Sequence, residues 1–198
     1  MAEQVFTDLL TQGVRQGKIP AREQAARDWY REKAKEFGKV SERAMFRQDG
    51  DNRLSSRPMN GSMYMFSYYA KHRDTLPYFD QFPLIFPYKK VKGGFMGINL
   101  HYLPHTLRAQ LMDALYDVAN NKNYDETTKL NFNYKLLNNA SKFKAFKPCI
   151  KHYLNSQVKS RFIYVYPSEW DLALFLPTEN FSGASKRKVW ADSRKKIK

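Results

Sequence analysis

The side chains best placed to do chemistry in this sequence are cations. Lys142-Phe143-Lys144-Ala145-Phe146-Lys147 interleaves lysines with aromatic rings, and Lys151, Lys159 and Arg161 extend the charge downstream. Lys186-Arg187-Lys188 and Arg194-Lys195-Lys196 are basic triplets eight residues apart. Ammonium and guanidinium groups at that density neutralise phosphates, and rings set among them can stack on exposed bases. The triplets suit an arm laid along a nucleic-acid backbone without reading its sequence. These cations form the expected DNA-contacting set. The same strings have a plainer reading. Phe143 and Phe146, three apart, fit the buried side of a helix whose lysines face water, and the triplets fit a solubilising tail.

Catalytic chemistry finds weaker support. His101 and His105 are four apart, but Pro104 lies between them, so a strand–helix junction with hydrogen-bonding imidazoles fits better than a metal site. Cys149 lies three residues from His152, yet Phe146 and Ile150 beside it mark a buried apolar thiol rather than a nucleophile. Gly93-Gly94-Phe95-Met96-Gly97 lacks the Lys-Ser/Thr ending of a phosphate loop and leads into a strand, which makes it a hairpin turn. The carboxylate pairs Asp125/Glu126 and Glu169/Asp171 lack the nearby lysine of a metal-dependent nuclease. The expectation is a binding protein, not an enzyme, with no catalytic residue, metal or cofactor.

The charge is unevenly distributed. Of 198 residues, 34 are Lys or Arg and 19 Asp or Glu, a formal +15. Residues 1–60 carry +3, residues 61–119 carry +2, and residues 120–198 carry +10. Such asymmetry points to a polyanion, and nucleic acid ranks ahead of an anionic membrane because no basic stretch has a long, bulky apolar face. A single cysteine excludes an internal disulfide framework and fits a reducing compartment. With no apolar run near 18 residues and no secretory leader pattern, the expectation is a soluble protein without membrane contact.

Those cations must be positioned by an α+β fold. Residues 1–47 read as a helical N-terminal arm, with Ala25, Trp29, Lys33 and Phe37 at spacing four and Gly38 as the stop. Turn formers fill 48–62, a linker or exposed loop. Residues 63–181 read as the core domain, a small bent antiparallel sheet or partial barrel packed with several helices. Its strands are expected at 63–69, at 82–88 (pushed to an edge by Pro83 and Pro87), at 95–102 with Gly97 marking a bulge or close approach, and at 161–166. Helices are expected at 106–118 (stripe Leu107, Leu111, Leu115, Val118), at 130–145, from Pro148 through Val158, and at 168–175 capped by Ser168. Asp125 to Thr128 reads as a capped turn. Residues 182–198, net +6, read as a surface helix or flexible basic C-terminal tail.

Several strings are more specific than composition. Met63-Tyr64-Met65-Phe66, Asp74 through Ile85 (DTLPYFDQFPLI), Gly94 through Pro104 (GFMGINLHYLP), Phe146-Lys147-Pro148-Cys149 and Ser168 through Pro177 (SEWDLALFLP) resemble the DNA end protector family, head-completion proteins of T-even-like contractile-tailed phages. The likeness covers about residues 20–198. It implies a virion protein assembled in the host cytoplasm that binds the ends of packaged double-stranded DNA and shields them from exonuclease by occlusion, with other head, neck or tail proteins as neighbours. The family brings no catalytic residue with it. A tail or baseplate component of the same virion is the alternative, since Trp29, Tyr30 and Tyr64 to Tyr69 are equally the residues of subunit interfaces. A phage nuclease is the third reading.

Overall fold

Strands whose residues are apolar at nearly every position bury both faces of their sheet, and that is how the 63–65, 84–88 and 162–165 segments are used. The structure, a computed structural model, describes residues 5–18, 24–47, 53–119, 123, 125, 127, 134–139, 141, 142 and 144–197. Strands β1 (Leu54–Ser55), β2 (Met63–Met65), β4 (Leu84–Val91), β5 (Gly94–Asn99), β6 (Ile150–Leu154) and β7 (Phe162–Val165) form an open antiparallel sheet in the order β1-β7-β2-β4-β5-β6. A separate pair joins β3 (Phe79–Asp80) to β8 (Phe181–Ser182). The helices are α1 (Val5–Arg15), α2 (Gln24–Glu36), α3 (Glu42–Phe46), α4 (His105–Ala119), α5 (134–139), α6 (Trp170–Phe175) and α7 (Lys186–Ile197). The fold is α+β, as the sequence predicts.

The period-2 rule sorts the sheet into two apolar faces. Met63, Met65, Leu84, Phe86, Ile98, Ile163 and Val165 meet the helices, packing with Phe6, Leu9, Tyr30, Ala34, Met112, Leu172 and Val189. The alternate residues Tyr64, Ile85, Phe95, Tyr153 and Phe162 gather with Phe66, Tyr68 and Phe79 in a second, aromatic cluster. There the Phe95 and Tyr153 rings stack at 5.5 Å and Phe66 lies 4.9 Å from Phe162. Each such aromatic pair contributes about 0.5–1.5 kcal/mol beyond its buried area.

Local signals fail where tertiary pairing overrides them. The segment from Ile150 to Leu154 is a strand, β6, where the spacing predicts a helix, because its backbone completes the free edge of β5 from Ile98↔Ile150 to Gly94↔Leu154. Pro148 closes a 3-10 turn, Lys144–Cys149, ahead of it. Strand β4 is interior despite Pro87, and Pro83 lies just ahead of it. Pro87 lies beyond the last β2 partner, Tyr64↔Ile85, so its missing N–H removes no ladder bond there, and its carbonyl accepts from Gly61 N–H at 2.9 Å. The bulge falls at Tyr88, between the pairs Pro87↔Gly97 and Lys89↔Met96. Gly97 instead serves close approach: a Cβ there would lie 3.2 Å from Ile85 Cδ1 and 3.4 Å from Tyr153 Cε2. Gly93, at φ 76°, turns the β4–β5 hairpin.

Other boundaries shift for similar reasons. Strand β2 spans three residues rather than 63–69, and β5 gives way at Leu100 to a 3-10 turn, Leu100–Tyr102, capped by the Asn99 side chain. On α2 the buried face is Ala26, Tyr30, Arg31 and Ala34, one residue on from the expected stripe. Ser168 does not cap α6; it lies inside a 3-10 turn, Pro167–Glu169, and Glu169 Oε2 accepts from Tyr166 N–H at 3.0 Å. In the 48–62 stretch, Arg53 is buried and Leu54–Ser55 pairs with β7. Leu107 is partly buried and Leu111 buried, whereas the Leu115 and Val118 side chains, residues 48–52, Glu126 and Thr128 to Asn133 lie outside the described residues.

Three buried arginines tie segments distant in sequence to one another. Arg53 makes a fork to Glu169 at 2.8 and 2.9 Å. Arg31 bonds Asp171 and Asp113, both at 2.7 Å. Arg108 donates to the carbonyls of Leu103, Leu174 and His101 and to Glu179 Oε1 at 2.8 Å. Burial alone would raise the Glu179 pKa, but the Arg108 guanidinium outweighs it and holds the carboxyl at about 2. A carboxyl depressed in the folded state stabilises the protein above its ordinary pKa, and that contribution is lost as pH falls from about 4.5 toward 2. The expected loss is about 3 kcal/mol. Denaturant midpoints between pH 5 and pH 3 should therefore fall less in Glu179→Gln than in the parent chain.

Candidate nucleic-acid interface

The basic C-terminal segment is a docked helix, because one side of it is not basic. Val189 and Ser193, four apart, are buried, and Trp190 between them donates its indole N–H to the His101 carbonyl at 2.8 Å. The Trp190 ring also meets His105 at 5.1 Å and lies under Arg108 at 5.5 Å. This seats α7 on the 3-10 turns Leu100–Tyr102 and Lys144–Cys149. Arg187, Arg194, Lys195 and Lys196 stay exposed, as do Lys142, Lys144 and Lys147. Of the remaining helix cations, Lys186 lies 5.8 Å over Trp190, and Lys188 is paired with Asp192 at 2.9 Å.

Lys151 joins this group from β6. Its ammonium sits 3.8 Å over the Tyr102 ring, and burial, reinforced by the charge of Lys196, holds its pKa down to about 8. The fold thus sets the Lys144–Cys149 turn against α7 and brings Lys151 near Lys196, which belongs to a separate basic string. Phe146 is partly buried against the core, so this ring is a packing residue; Phe143 lies outside the described residues.

Lys159 and Arg161 do not join that group. They follow β6 and flank Ser160, which lines an open cleft of about 560 Å³. Arg57, Asn60, Lys90, Asn155 and the residual surface of Phe95 and Phe162 are among its walls, and none of the described residues lining it is a carboxylate. The Arg161 guanidinium is fixed by a hydrogen bond to the Leu54 carbonyl. Arg57 and Lys90 are exposed, and neither belongs to the cationic set expected from sequence: Arg57 has no cation beside it, and the Lys89, Lys90 and Lys92 run lies outside the basic last third and meets Arg57 only through the fold.

The family described as the phage T4 terminal DNA protecting protein matches residues 6–196, nearly the whole chain. This chain belongs to that family. No curated protein and no solved structure matches it.

Within this terminal DNA protecting fold, the other sequence candidates are engaged in packing. Glu169 and Asp171 are held by Arg53 and Arg31, so neither is an open carboxylate for a divalent cation. His101 sits between Asp80 Oδ2, 2.8 Å from its Nδ1, and Thr178 Oγ1, 3.2 Å from its Nε2, while His105 packs on Phe175 and Trp190. The two imidazoles serve different neighbours rather than one ligand. Asn99 extends the buried network by donating to Asp80 and to the Tyr153 hydroxyl, both at 3.0 Å. These residue types could form a nucleophile relay, but His101, Asp80 and Thr178 are 0%, 3% and 3% exposed. They are sealed from substrate. The Cys149 thiol is buried, donates to the Phe146 carbonyl, and is pushed up to about 12 by burial, so it is not a thiolate at neutral pH.

Proposed function

We propose that the chain binds the ends of packaged linear double-stranded DNA in the virion and occludes them from host exonuclease, acting in head completion and catalysing no reaction. The observation that carries this reading is the docking of α7 against the 144–149 turn, which holds both basic strings on the folded body and brings Lys196 near Lys151, in a chain of this family. A fixed cationic surface holds phosphates at lower entropic cost than a floating tail, and contacts made to phosphates carry no sequence information, so binding through them is sequence-independent. The folded body then stands between the terminus and the nuclease. Another head, neck or tail protein adjoins it in the virion.

The test compares linear duplex with the same sequence closed into a circle, in a salt-titrated binding assay followed by exonuclease challenge. Tighter binding of the linear form together with resistance to digestion supports the reading. Absence of binding near physiological salt overturns it in favour of a tail or baseplate component.

Lys151 adds a pH signature. Its ammonium is charged below a pKa of about 8, and its phosphate contact disappears as pH rises through that value or slightly above it, since a bound phosphate favours the charged form. One contact contributes roughly 8-fold in affinity at about 0.1 M salt. DNA affinity should drop by about that factor between pH 7 and pH 9.5, and Lys151→Met should show a flat profile over the same range. An unchanged drop in the variant would remove Lys151 from the contact set.

A further inference from the structure

We infer that the cleft between the β4–β5 hairpin and the 56–60 loop receives the terminal nucleotide of the DNA end, separately from the duplex-holding surface on α7. This rests on the end-protecting reading above and adds to it the place where the terminus itself is held.

Three observations carry the inference. The cleft's volume of about 560 Å³ falls in the range of roughly 300–1,000 Å³ typical of small-molecule sites. Its chemistry is that of a nucleotide: Arg57 and Lys90 for the phosphate, Ser56, Asn60 and Asn155 for sugar and base edges, and Phe95 and Phe162 on its floor. The flanking side chains Lys159 and Arg161 and the hairpin Lys92 add only positive charge. A duplex surface needs no such concavity, because phosphates are met on a flat or convex face.

The third observation is connection. Edge strand β6 starts at Ile150, directly after the turn on which α7 docks, and ends at Leu154, beside the cleft residue Asn155, whose N–H donates to the Gly93 carbonyl at 2.9 Å. Five residues of strand span about 14 Å, close to the rise of four base pairs at roughly 3.4 Å each. The cleft opens on the Phe95–Phe162 face of the sheet and α7 packs on the other face, so a duplex held by the α7 lysines brings its end to the cleft around the β6 edge. Only an open end can enter. A closed loop of DNA offers no terminal nucleotide to a cleft of this size.

The experiment uses the full chain with two probes of the same 20-base-pair sequence, an open-ended 5′-phosphorylated duplex and a dumbbell closed by hairpins at both ends. The parent chain should bind the open duplex at least 10-fold more tightly. Arg57→Gln/Lys90→Gln should reduce that preference to under 3-fold while dumbbell affinity changes by less than 5-fold. Ser56→Trp, which fills the cleft without changing charge at an exposed position, should do the same, so a general charge effect is separated from loss of the site. Retention of the preference in both variants overturns the cleft assignment and leaves end protection standing. Equal binding of both probes by the parent chain also overturns it, and failure to bind either probe overturns the functional reading itself.

Discussion

Replacing Arg108 by methionine should lower folding stability by about 3–5 kcal/mol, the usual cost of removing one partner from a buried ion pair. The guanidinium is wholly buried and serves four acceptors at once: the Leu103, Leu174 and His101 carbonyls and Glu179. Its loss strands a carboxylate that is 3% exposed and removes the cation over the Trp190 ring. Denaturant unfolding should show a lowered midpoint with unchanged slope. Arg108→Met/Glu179→Gln should recover part of the loss, because the stranded charge is then absent. If the single variant lost less than about 1 kcal/mol, the pairing would contribute far less than its burial implies. DNA binding offers a second readout: α7 is seated through Trp190 against this site, so affinity should fall in parallel with the local packing.

The largest functional effect is expected from neutralising the α7 surface. Lys147, Arg194, Lys195 and Lys196 replaced together by glutamine should reduce affinity for linear duplex by roughly 10³-fold at about 0.1 M salt, and should flatten the dependence of log K on log salt by about 3.6, at 0.9 per phosphate lost. All four are exposed, so stability should change little. Unchanged affinity would move duplex binding to another surface. A truncation at Ser182 is a poorer test, because it would also remove Val189 and Trp190 from the core.

The readable parts of the sequence were those whose signal is local and repeated. Helix α4 follows from the spacing of Leu107 and Leu111 after Pro104, and the β4–β5 hairpin from glycine at the turn. Strand β7 follows from a β-branched and aromatic run, RFIYVY. Strand β6 was not readable, since Ile150, Tyr153 and Leu154 fit a helical face as well as a strand; pairing with β5 decides between them. The one-residue error on α2 arose because Trp29 and Phe37 look more apolar than Ala26, Tyr30 and Ala34, yet small residues let that helix approach α6 closely.

By itself, the sequence determined that this chain folds as an α+β protein, that its charge is concentrated in its last third, and that its family is one of phage proteins protecting DNA ends. Composition, periodicity and specific strings are properties of neighbouring residues, and they survive without coordinates. The tertiary structure decided where the cations sit. It placed the Lys144–Cys149 turn under α7 and brought Arg57 and Lys90 to one cleft with Ser160, between Lys159 and Arg161. It also decided that Glu169, Asp171 and His101 are internal fastenings rather than chemistry. The physical reason is that electrostatic fields and buried pairs depend on distance through space, which sequence separation does not encode.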